Sequence, residues 1–233
     1  MIVGGRIVEG ATAPGTPFVI IGRNDRVAWS FTTNEADLQD IMRVTAADVT
    51  ETISESITVE GAVPVGINLK FVDGAPVIAG GILDGSGDDG LALVATSLSP
   101  ADSTPSTFVG LNAATDIDEA IKALGSFRAP LQNVILADAD GRIARVLAGS
   151  LPKRLGESGR FPLSGPAQKW QSVPAADVVP PIVDPAGGTV SNANERTLEL
   201  DQVPFQIPGD WPASARGQRL QKPRLNRAEQ RFI

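Results

Sequence analysis

Proline constrains the fold of this chain more than any other residue. Residues 155–189 contain six prolines, and the whole chain has 18 prolines and 24 glycines. Because proline fixes φ and lacks a backbone N–H, this segment cannot form a long helix or a central strand. We therefore expect residues 155–189 to run over the surface of a core that the rest of the chain builds.

That core is predicted to be rich in β-strands. Short runs of β-branched and aromatic residues alternate with turn signals along most of the first 148 residues. Asp73-Gly74 and Asp140-Gly141 predict two hairpins. One helix is expected between Thr115 and Gly125, where an acidic first turn and a capping pattern accompany an apolar stripe, whereas Ser99–Ser106 is expected to be a connection. The predicted fold class is α+β and β-rich.

Composition excludes several kinds of site. The 233 residues include no Cys, no His and no Tyr. Disulfides, a thiolate nucleophile, a Ser-His-Asp triad and histidine or thiolate metal sites are therefore excluded within this chain. Carboxylates, lysines and the terminal amine remain for acid–base chemistry, and a bound metal would be a hard cation such as calcium.

Charge and hydropathy also narrow the range of partners. Residues 1–140 carry 19 acidic and 7 basic residues, which argues against a nucleic-acid partner because phosphate binding needs a basic surface. No apolar run reaches the roughly 20 residues that span a bilayer, and residues 1–6 lack the pattern of a signal peptide. We predict neither nucleic acid nor membrane as a partner.

The stretch from Gly22 to Asp40 is the first candidate for chemistry. Its turn formers lead into a predicted strand, Val27–Thr33, and then into a polar run with carboxylates at Asp37 and Asp40. On the residues alone, a hairpin with a solvated loop is favoured over a site. Residues 189–196 are predicted to form a short strand, and Asn192 and Asn194 to form an Asx turn at its end.

Three blocks of sequence carry a family resemblance. The first runs from Pro17 to Trp29 and on to Asp37–Asp40, and the second runs from Gln132 to Arg154. The third runs from Pro185 to Asn194 and continues at Asp210-Trp211 and Arg216–Leu220. In this order and at these spacings, the blocks resemble the penicillin acylase family of N-terminal-nucleophile amide hydrolases, which includes acyl-homoserine lactone acylases.

The resemblance implies a fold and a division of the chain. The fold would be part of an αββα N-terminal-nucleophile hydrolase sandwich with an inserted β-barrel-like region. Residues 1–233 would form an incomplete domain of this type, with a β-rich insertion at residues 45–115 and a tail at residues 221–233.

The resemblance also implies an activity, the hydrolysis of small-molecule N-acyl amides. In this family an N-terminal Ser attacks the acyl carbonyl and its own α-amine acts as the base, so no His is required. That Ser would precede residue 1, so the chain alone is expected to be inactive and to need the remainder of its precursor, the alpha subunit and the nucleophile segment. The alternative is a non-catalytic β-rich binding or structural domain. Members of this family are periplasmic or secreted proteins, and the residues of this chain alone give no localisation.

Site residues follow from the resemblance by position. Thr33 would give its backbone N–H, and Asn194 its side-chain amide, to an oxyanion hole, and Arg216 would orient Asn194 and the terminal amine. One structural calcium ion is also implied. Its ligands would be the carboxylates of Asp37 and Asp40, the backbone oxygens of Gln39 and Pro152, and Asp201 as a weaker candidate.

Overall fold

The computed structural model describes residues 2–3, 5–98, 103–155, 159, 161–164, 170–197, 205, 207–211 and 215–221. The strands are β1 Ile2–Val3, β2 Arg6–Ile7, β3 Glu9–Ala11, β4 Ile21–Arg23, β5 Val27–Thr33, β6 Gln39–Thr45, β7 Glu51–Ile57, β8 Val65–Val72, β9 Ala75–Ala79, β10 Asp89–Ala95, β11 Gln132–Asp138, β12 Ile143–Ala148, β13 Ser150–Arg154, β14 Leu163–Ser164, β15 Trp170–Pro174 and β16 Ile182–Val183. The helices are α1 Thr104–Ala113, α2 Ile117–Leu124 and α3 Ala215–Gln221. The predicted β-rich α+β class is confirmed.

The first sheet has the strand order β16-β12-β11-β5-β4-β3. Its central strands, β5 and β11, are antiparallel, and Thr33 lies opposite Gln132. Alternate residues of these strands face helices α1 and α2, so one side of the sheet is buried in the largest apolar core of the described residues. Trp29, Val134 and Leu136 come from the strands, and Leu111 and Ile117 come from the helices.

The second sheet has the strand order β14-β6-β10-β9-β8-β7. Met42, Val72 and Ala92 form the centre of a separate core beneath β6, β8 and β10. The hairpin of β7 and β8 lies at the edge of this sheet, and every residue of β7 is exposed. Opposed pairs on one face of the hairpin are apolar, namely Ile53 with Leu69 and Ile57 with Val65.

In its described residues, the proline-rich segment forms short strands at the edges of other elements and a 3-10 turn at Ala175–Asp177, with no long helix or central strand, as predicted. β13 and β15 make a two-stranded ribbon, β14 pairs with β6 over two residues, and β16 adds two residues to the edge of the first sheet. In the part of the chain that the structure describes, no helix is long and apolar enough to cross a membrane. The boundaries predicted at residues 45–115 and 221–233 stay predictions.

Helix α2 was predicted from its local pattern, whereas helix α1 was not. α2 lies inside the predicted range, but the N-cap is Asp116, whose carboxylate accepts the N–H of Glu119, and not Thr115. α1 begins inside Ser99–Ser106, which was expected to be a connection, and this expectation is wrong. The helix forms because Phe108 and Leu111 bury their side chains against the first sheet, which outweighs the weak local helical pattern.

Candidate active site

Thr33 ends strand β5, and the hydrogen-bond pattern fixes the direction of its backbone groups. Asn34 N–H donates to Leu131 O at 3.2 Å, and Ala139 N–H donates to Arg26 O at 2.8 Å, so the even-numbered residues of β5 pair with β11. The N–H and C=O of Thr33 therefore point to the opposite side. β4 pairs with only Ala28 and Trp29 of β5, which leaves the end of β5 uncovered on that side.

Asn194 lies at this uncovered edge and contacts Thr33 directly. Its amide Nδ2 donates to the carbonyl oxygen of Thr33 at 2.9 Å. The guanidinium of Arg216, on α3, donates to Oδ1 of Asn194 at 3.0 Å. The structure thus brings together all three predicted catalytic residues, although they are far apart in the sequence.

The loop that carries Asn194 is held by side chains instead of a ladder of strand hydrogen bonds. Oδ1 of Asn192 accepts the N–H of Asn194 at 3.1 Å and the hydroxyl of Thr32 at 2.5 Å. The predicted Asx turn is therefore present, whereas the predicted short strand at residues 189–196 is wrong, because this segment pairs with no strand. Asn194 has a φ of +67°, a left-handed conformation that Asn tolerates better than most residues.

Helix α3 approaches this loop closely at a glycine. A Cβ on Gly217 would lie 2.7 Å from the carboxylate carbon of Glu195, so a larger residue would displace this carboxylate. Oε2 of Glu195 accepts the N–H of Ala193 at 2.7 Å, so this carboxylate joins the loop to α3. This close packing places Arg216 within reach of Asn194.

The arrangement provides neutral donors beside an exposed edge. The amide nitrogen of Asn194 carries two hydrogens, and the bond to Thr33 O uses one of them. The second hydrogen and the outward N–H of Thr33 are therefore two hydrogen-bond donors on the same strand edge. Because a guanidinium donates hydrogen bonds and accepts none, the amide atom that faces Arg216 is Oδ1, which places the amide nitrogen toward Thr33.

The predicted metal ligands lie next to this edge, and a basic residue joins them. Asp40 is 3% exposed, and its Oδ2 accepts a hydrogen bond from Nε of Arg154 at 2.7 Å. Nη2 of Arg154 also reaches Oδ2 of Asp37 at 3.3 Å and the carbonyl oxygen of Asp37 at 3.2 Å. Asp201 lies outside the described residues.

Oxygen atoms around Asp40 are the predicted ligands of the hard cation. Oδ1 of Asp40 is buried and has no hydrogen-bond partner among the described residues. Thr96 N–H donates to Leu38 O, and carbonyls alternate in direction along a strand, so the carbonyl of Gln39 points away from β10. In the same way, Ala175 N–H donates to Gly149 O, so the carbonyl of Pro152 points away from β15. Among the described residues, however, no three acidic side chains converge as metal ligands.

Sequence reasoning did not identify Arg154 as a site residue. It ends the second block of the family resemblance, but nothing in its neighbourhood in the sequence indicates that it pairs with carboxylates 114 and 117 residues away. Gly159 packs on this pair so closely that a Cβ there would lie 2.3 Å from Oδ1 of Asp40 and 2.4 Å from Nε of Arg154. Residue 159 is therefore restricted to glycine.

Comparisons with known proteins find relatives of the chain. The family model for penicillin amidase matches residues 3–231. The chain is 28% identical to the acyl-homoserine lactone acylase QuiP of Pseudomonas fluorescens strain Pf0-1, over 91% of the chain and 28% of that protein. It is 24% identical to the penicillin acylase 2 proenzyme of Pseudomonas sp. strain SE83, over 91% of the chain and 29% of the proenzyme.

A solved structure shows the same fold. The thermostable penicillin G acylase from Alcaligenes faecalis superposes with a TM-score of 0.77 at 20% identity, over 98% of the chain and 44% of that structure's chain. The chain spans less than a third of the length of the curated relatives that it matches.

Proposed function

Because the chain belongs to the penicillin amidase family, we propose that it forms the oxyanion-binding part of the active site of an N-acyl amide hydrolase. The observation that carries this proposal is the chain of contacts from Arg216 through Asn194 to Thr33. These contacts join three separate parts of the sequence at a strand edge where backbone donors have no strand neighbour.

The proposed role of these residues is to stabilise the tetrahedral intermediate of amide hydrolysis. When a nucleophile attacks the acyl carbonyl, negative charge develops on the carbonyl oxygen. The N–H of Thr33 and the second amide hydrogen of Asn194 would donate to that oxygen. Fixed donors of this kind contribute about 3–4 kcal/mol each to transition-state stabilisation in other acyl-transfer enzymes. Arg216 is a positioning residue, since it acts through Asn194.

We further propose that the attacking group lies in another part of a longer protein. The family resemblance implies a Ser whose own α-amine is the base, and none of the three resembling blocks supplies it. We infer that the chain alone binds the reacting centre but does not turn over an N-acyl anilide. Small-molecule N-acyl amides and the remainder of the same precursor are the proposed partners.

A transition-state analogue tests this proposal without requiring turnover. The 233-residue chain is titrated with a phosphonamidate, which carries an anionic tetrahedral centre, and with the planar amide of the same shape. We expect the phosphonamidate to bind at least about tenfold more tightly, as transition-state analogues do in acylases. In 15N-resolved NMR spectra, its largest shifts should fall on the N–H of Thr33 and the side-chain amide of Asn194.

Two variants make the test specific. Asn194→Ala should abolish the preference for the phosphonamidate, whereas Asn68→Ala, which removes an exposed Asn of the β7–β8 hairpin, should leave it intact. Equal binding of both compounds by the unaltered chain would support the alternative, a non-catalytic β-rich domain that keeps the scaffold. Turnover of an acyl anilide by the purified chain would contradict the proposed absence of a nucleophile.

We also propose that a calcium ion binds beside Asp40. Asp37, Asp40, the carbonyls of Gln39 and Pro152, and Asp201 would hold it, and it would supply structural cross-linking between the loop after β5 and β13. The buried, unpartnered Oδ1 of Asp40 supports this proposal.

The melting temperature should fall when EDTA is added and recover with excess calcium but not with magnesium, because magnesium demands a stricter octahedral geometry. An unchanged melting temperature, together with no calcium in elemental analysis of the protein, would refute it.

A further inference from the structure

A short antiparallel pairing lies beyond the Thr33 end of β5. The N–H of Asp37 donates to Pro208 O at 2.8 Å, and the N–H of Asp210 donates to Glu35 O at 3.2 Å. These two bonds fix a distant segment of the chain against the loop that begins immediately after Thr33. The proposed function assigns no role to this segment.

Trp211 follows the pairing, and its ring lies against Gly209. A Cβ on Gly209 would lie 2.6 Å from Cη2 and Cζ3 of the ring and 2.5 Å from the carbonyl oxygen of Glu35, so a side chain there would displace one of them. The ring also packs against the apolar cluster to which Ala36 and Ile207 belong. Trp211 is therefore held between the loop after β5 and a buried core.

The same ring contacts the loop of Asn194 through a cation. The guanidinium carbon of Arg196 lies 4.9 Å from the centre of the Trp211 ring, which is within the range of a cation–π interaction. Arg196 is two residues after Asn194 in the sequence. The indole thus joins the loop that supplies one oxyanion donor to the segment beside the other donor, the N–H of Thr33.

The conformation of Asn194 depends on such anchors. Its φ of +67° is left-handed, and residues in sparsely populated backbone regions keep their conformation where surrounding contacts hold them. Before Asn194, the hydroxyl of Thr32 holds the side chain of Asn192. After Asn194, the ring of Trp211 holds Arg196. Release of the second anchor would let the amide of Asn194 move relative to β5.

Trp211 also precedes the helix that carries Arg216. α3 begins at Ala215, four residues after Trp211. Because four residues of chain span at most about 14 Å, an anchored ring keeps the start of α3 nearby. Nη2 of Arg216 donates to Oδ1 of Asn194 at 3.0 Å. One anchor therefore acts on both partners of this hydrogen bond.

We propose that Trp211 is a positioning residue for the oxyanion donors and acts on the loop of Asn194 through Arg196. Its indole fixes the side-chain amide of Asn194 relative to Thr33 and contacts no reacting atom. The catalytic consequence rests on the proposed function, whereas the placement of Asn194 is measurable without it.

The side-chain amide signals of Asn194 report its hydrogen bond to Thr33. In 15N-resolved NMR spectra of the 233-residue chain, they are identified by their loss in Asn194→Ala. We expect the hydrogen-bonded proton to move toward the position of a solvent-exposed amide in Trp211→Leu and, by a smaller amount because Arg196 is exposed, in Arg196→Met. Trp211→Phe keeps an aromatic face and Arg196→Lys keeps the charge, so both should retain most of the original shift.

Ligand affinity measures the functional consequence. The preference for the phosphonamidate over its amide should fall from about tenfold or more to about twofold or less in Trp211→Leu. Adding Arg196→Met to Trp211→Leu should lower the preference no further, because the two residues act through one contact and their effects are not additive.

Two control variants separate positioning from a loss of stability. Val178→Ala trims a side chain that packs on the same apolar cluster as Trp211. Phe161→Leu removes an aromatic ring that is 78% exposed. Both should keep the Asn194 signals and the phosphonamidate preference, even where the melting temperature falls. Circular dichroism melting curves set a temperature at which every compared variant is folded.

The outcomes separate this inference from the proposed function. If Trp211→Leu leaves the Asn194 signals or the phosphonamidate preference unchanged, or if Val178→Ala changes them equally, the inference is overturned. If Trp211→Leu does not fold, unchanged Asn194 signals in Arg196→Met overturn it. If Trp211→Leu shifts the signals but the unaltered chain binds phosphonamidate and amide equally, Trp211 positions Asn194 and the oxyanion proposal fails.

Discussion

The two six-stranded sheets use similar strands but give them different surroundings. β5 and β7 both have seven residues and carry apolar side chains on one face, at Val27, Trp29 and Phe31 in β5 and at Ile53 and Ile57 in β7. β5 lies between two strands and under two helices, and Val27 and Trp29 are almost completely buried. β7 lies at a sheet edge, where Ile57 is 51% exposed. The first sheet thus buries one face of its central strand, whereas the edge strand of the second sheet leaves all of its side chains exposed.

The largest expected effect concerns the ion pair that joins the loop after β5 to β13. In calcium-free buffer, Arg154→Met would leave the carboxylate of Asp40 buried without its counter-charge, and we expect a loss of about 4 kcal/mol in the free energy of unfolding. Urea denaturation measures this loss. Arg23→Met removes an exposed ion pair with Glu9 at the edge of the first sheet, and it should cost less than about 1 kcal/mol. Equal losses would show that burial does not distinguish the two pairs.

A leucine from each sheet tests the comparison directly. Leu136 is fully buried on β11, and Leu136→Ala should cost about 3 kcal/mol because a cavity remains beneath the helices. Leu69 is 42% exposed on β8, and Leu69→Ala should cost less than about 1 kcal/mol. Paired denaturation curves under one buffer condition give both values. A loss at Leu69 as large as the loss at Leu136 would mean that the hairpin face is covered in solution.

Acid sensitivity should be similar in the two sheets. Hydrogen bonds from the N–H of Ile143 and from the guanidinium of Arg142 hold the pKa of Asp184 below its usual 3.8. Because the folded-state pKa is lowered, this stabilisation is present above about pH 4 and is lost as the pH falls through the folded-state value. In the second sheet, hydrogen bonds from the N–H and hydroxyl of Thr45 lower the pKa of Asp48 in the same way.

Thermal melting between pH 7 and pH 3 checks this expectation. The difference in melting temperature between the unaltered chain and Asp184→Asn should shrink as the pH falls, and Asp48→Asn should behave alike. If the melting temperature of only one of the two variants approaches that of the unaltered chain at low pH, local hydrogen bonding is not sufficient to explain acid sensitivity.

The smallest expected effect is on the exposed hairpin face. Ile57→Thr keeps a β-branched side chain and should change the free energy of unfolding by no more than about 0.5 kcal/mol. Sedimentation velocity on the same samples shows whether the chain is a monomer. A loss above about 1 kcal/mol that depends on protein concentration would indicate that a second copy covers this face.

Much of the local structure follows from the sequence. Prolines limited the described part of residues 155–189 to short edge strands and a 3-10 turn, and Asp-Gly turns placed two hairpins correctly, because φ restrictions and turn geometry act over a few residues. Helix α1 was not predictable in this way. Its local pattern is weak, and its stability comes from the sheet on which Phe108 and Leu111 pack.

The candidate site shows the same distinction between features set by neighbouring residues and features set by long-range contacts. The residues alone left Gly22–Asp40 as a hairpin with a polar loop, and the family resemblance supplied Thr33, Asn194 and Arg216. The tertiary structure decided that Asn194 contacts Thr33 across 161 residues and that Arg154 pairs with Asp40 across 114 residues. Hydrogen bonds at such separations depend on which strand ends the packed sheets bring together. A short window of sequence encodes turns, caps and strands, but it does not encode that juxtaposition.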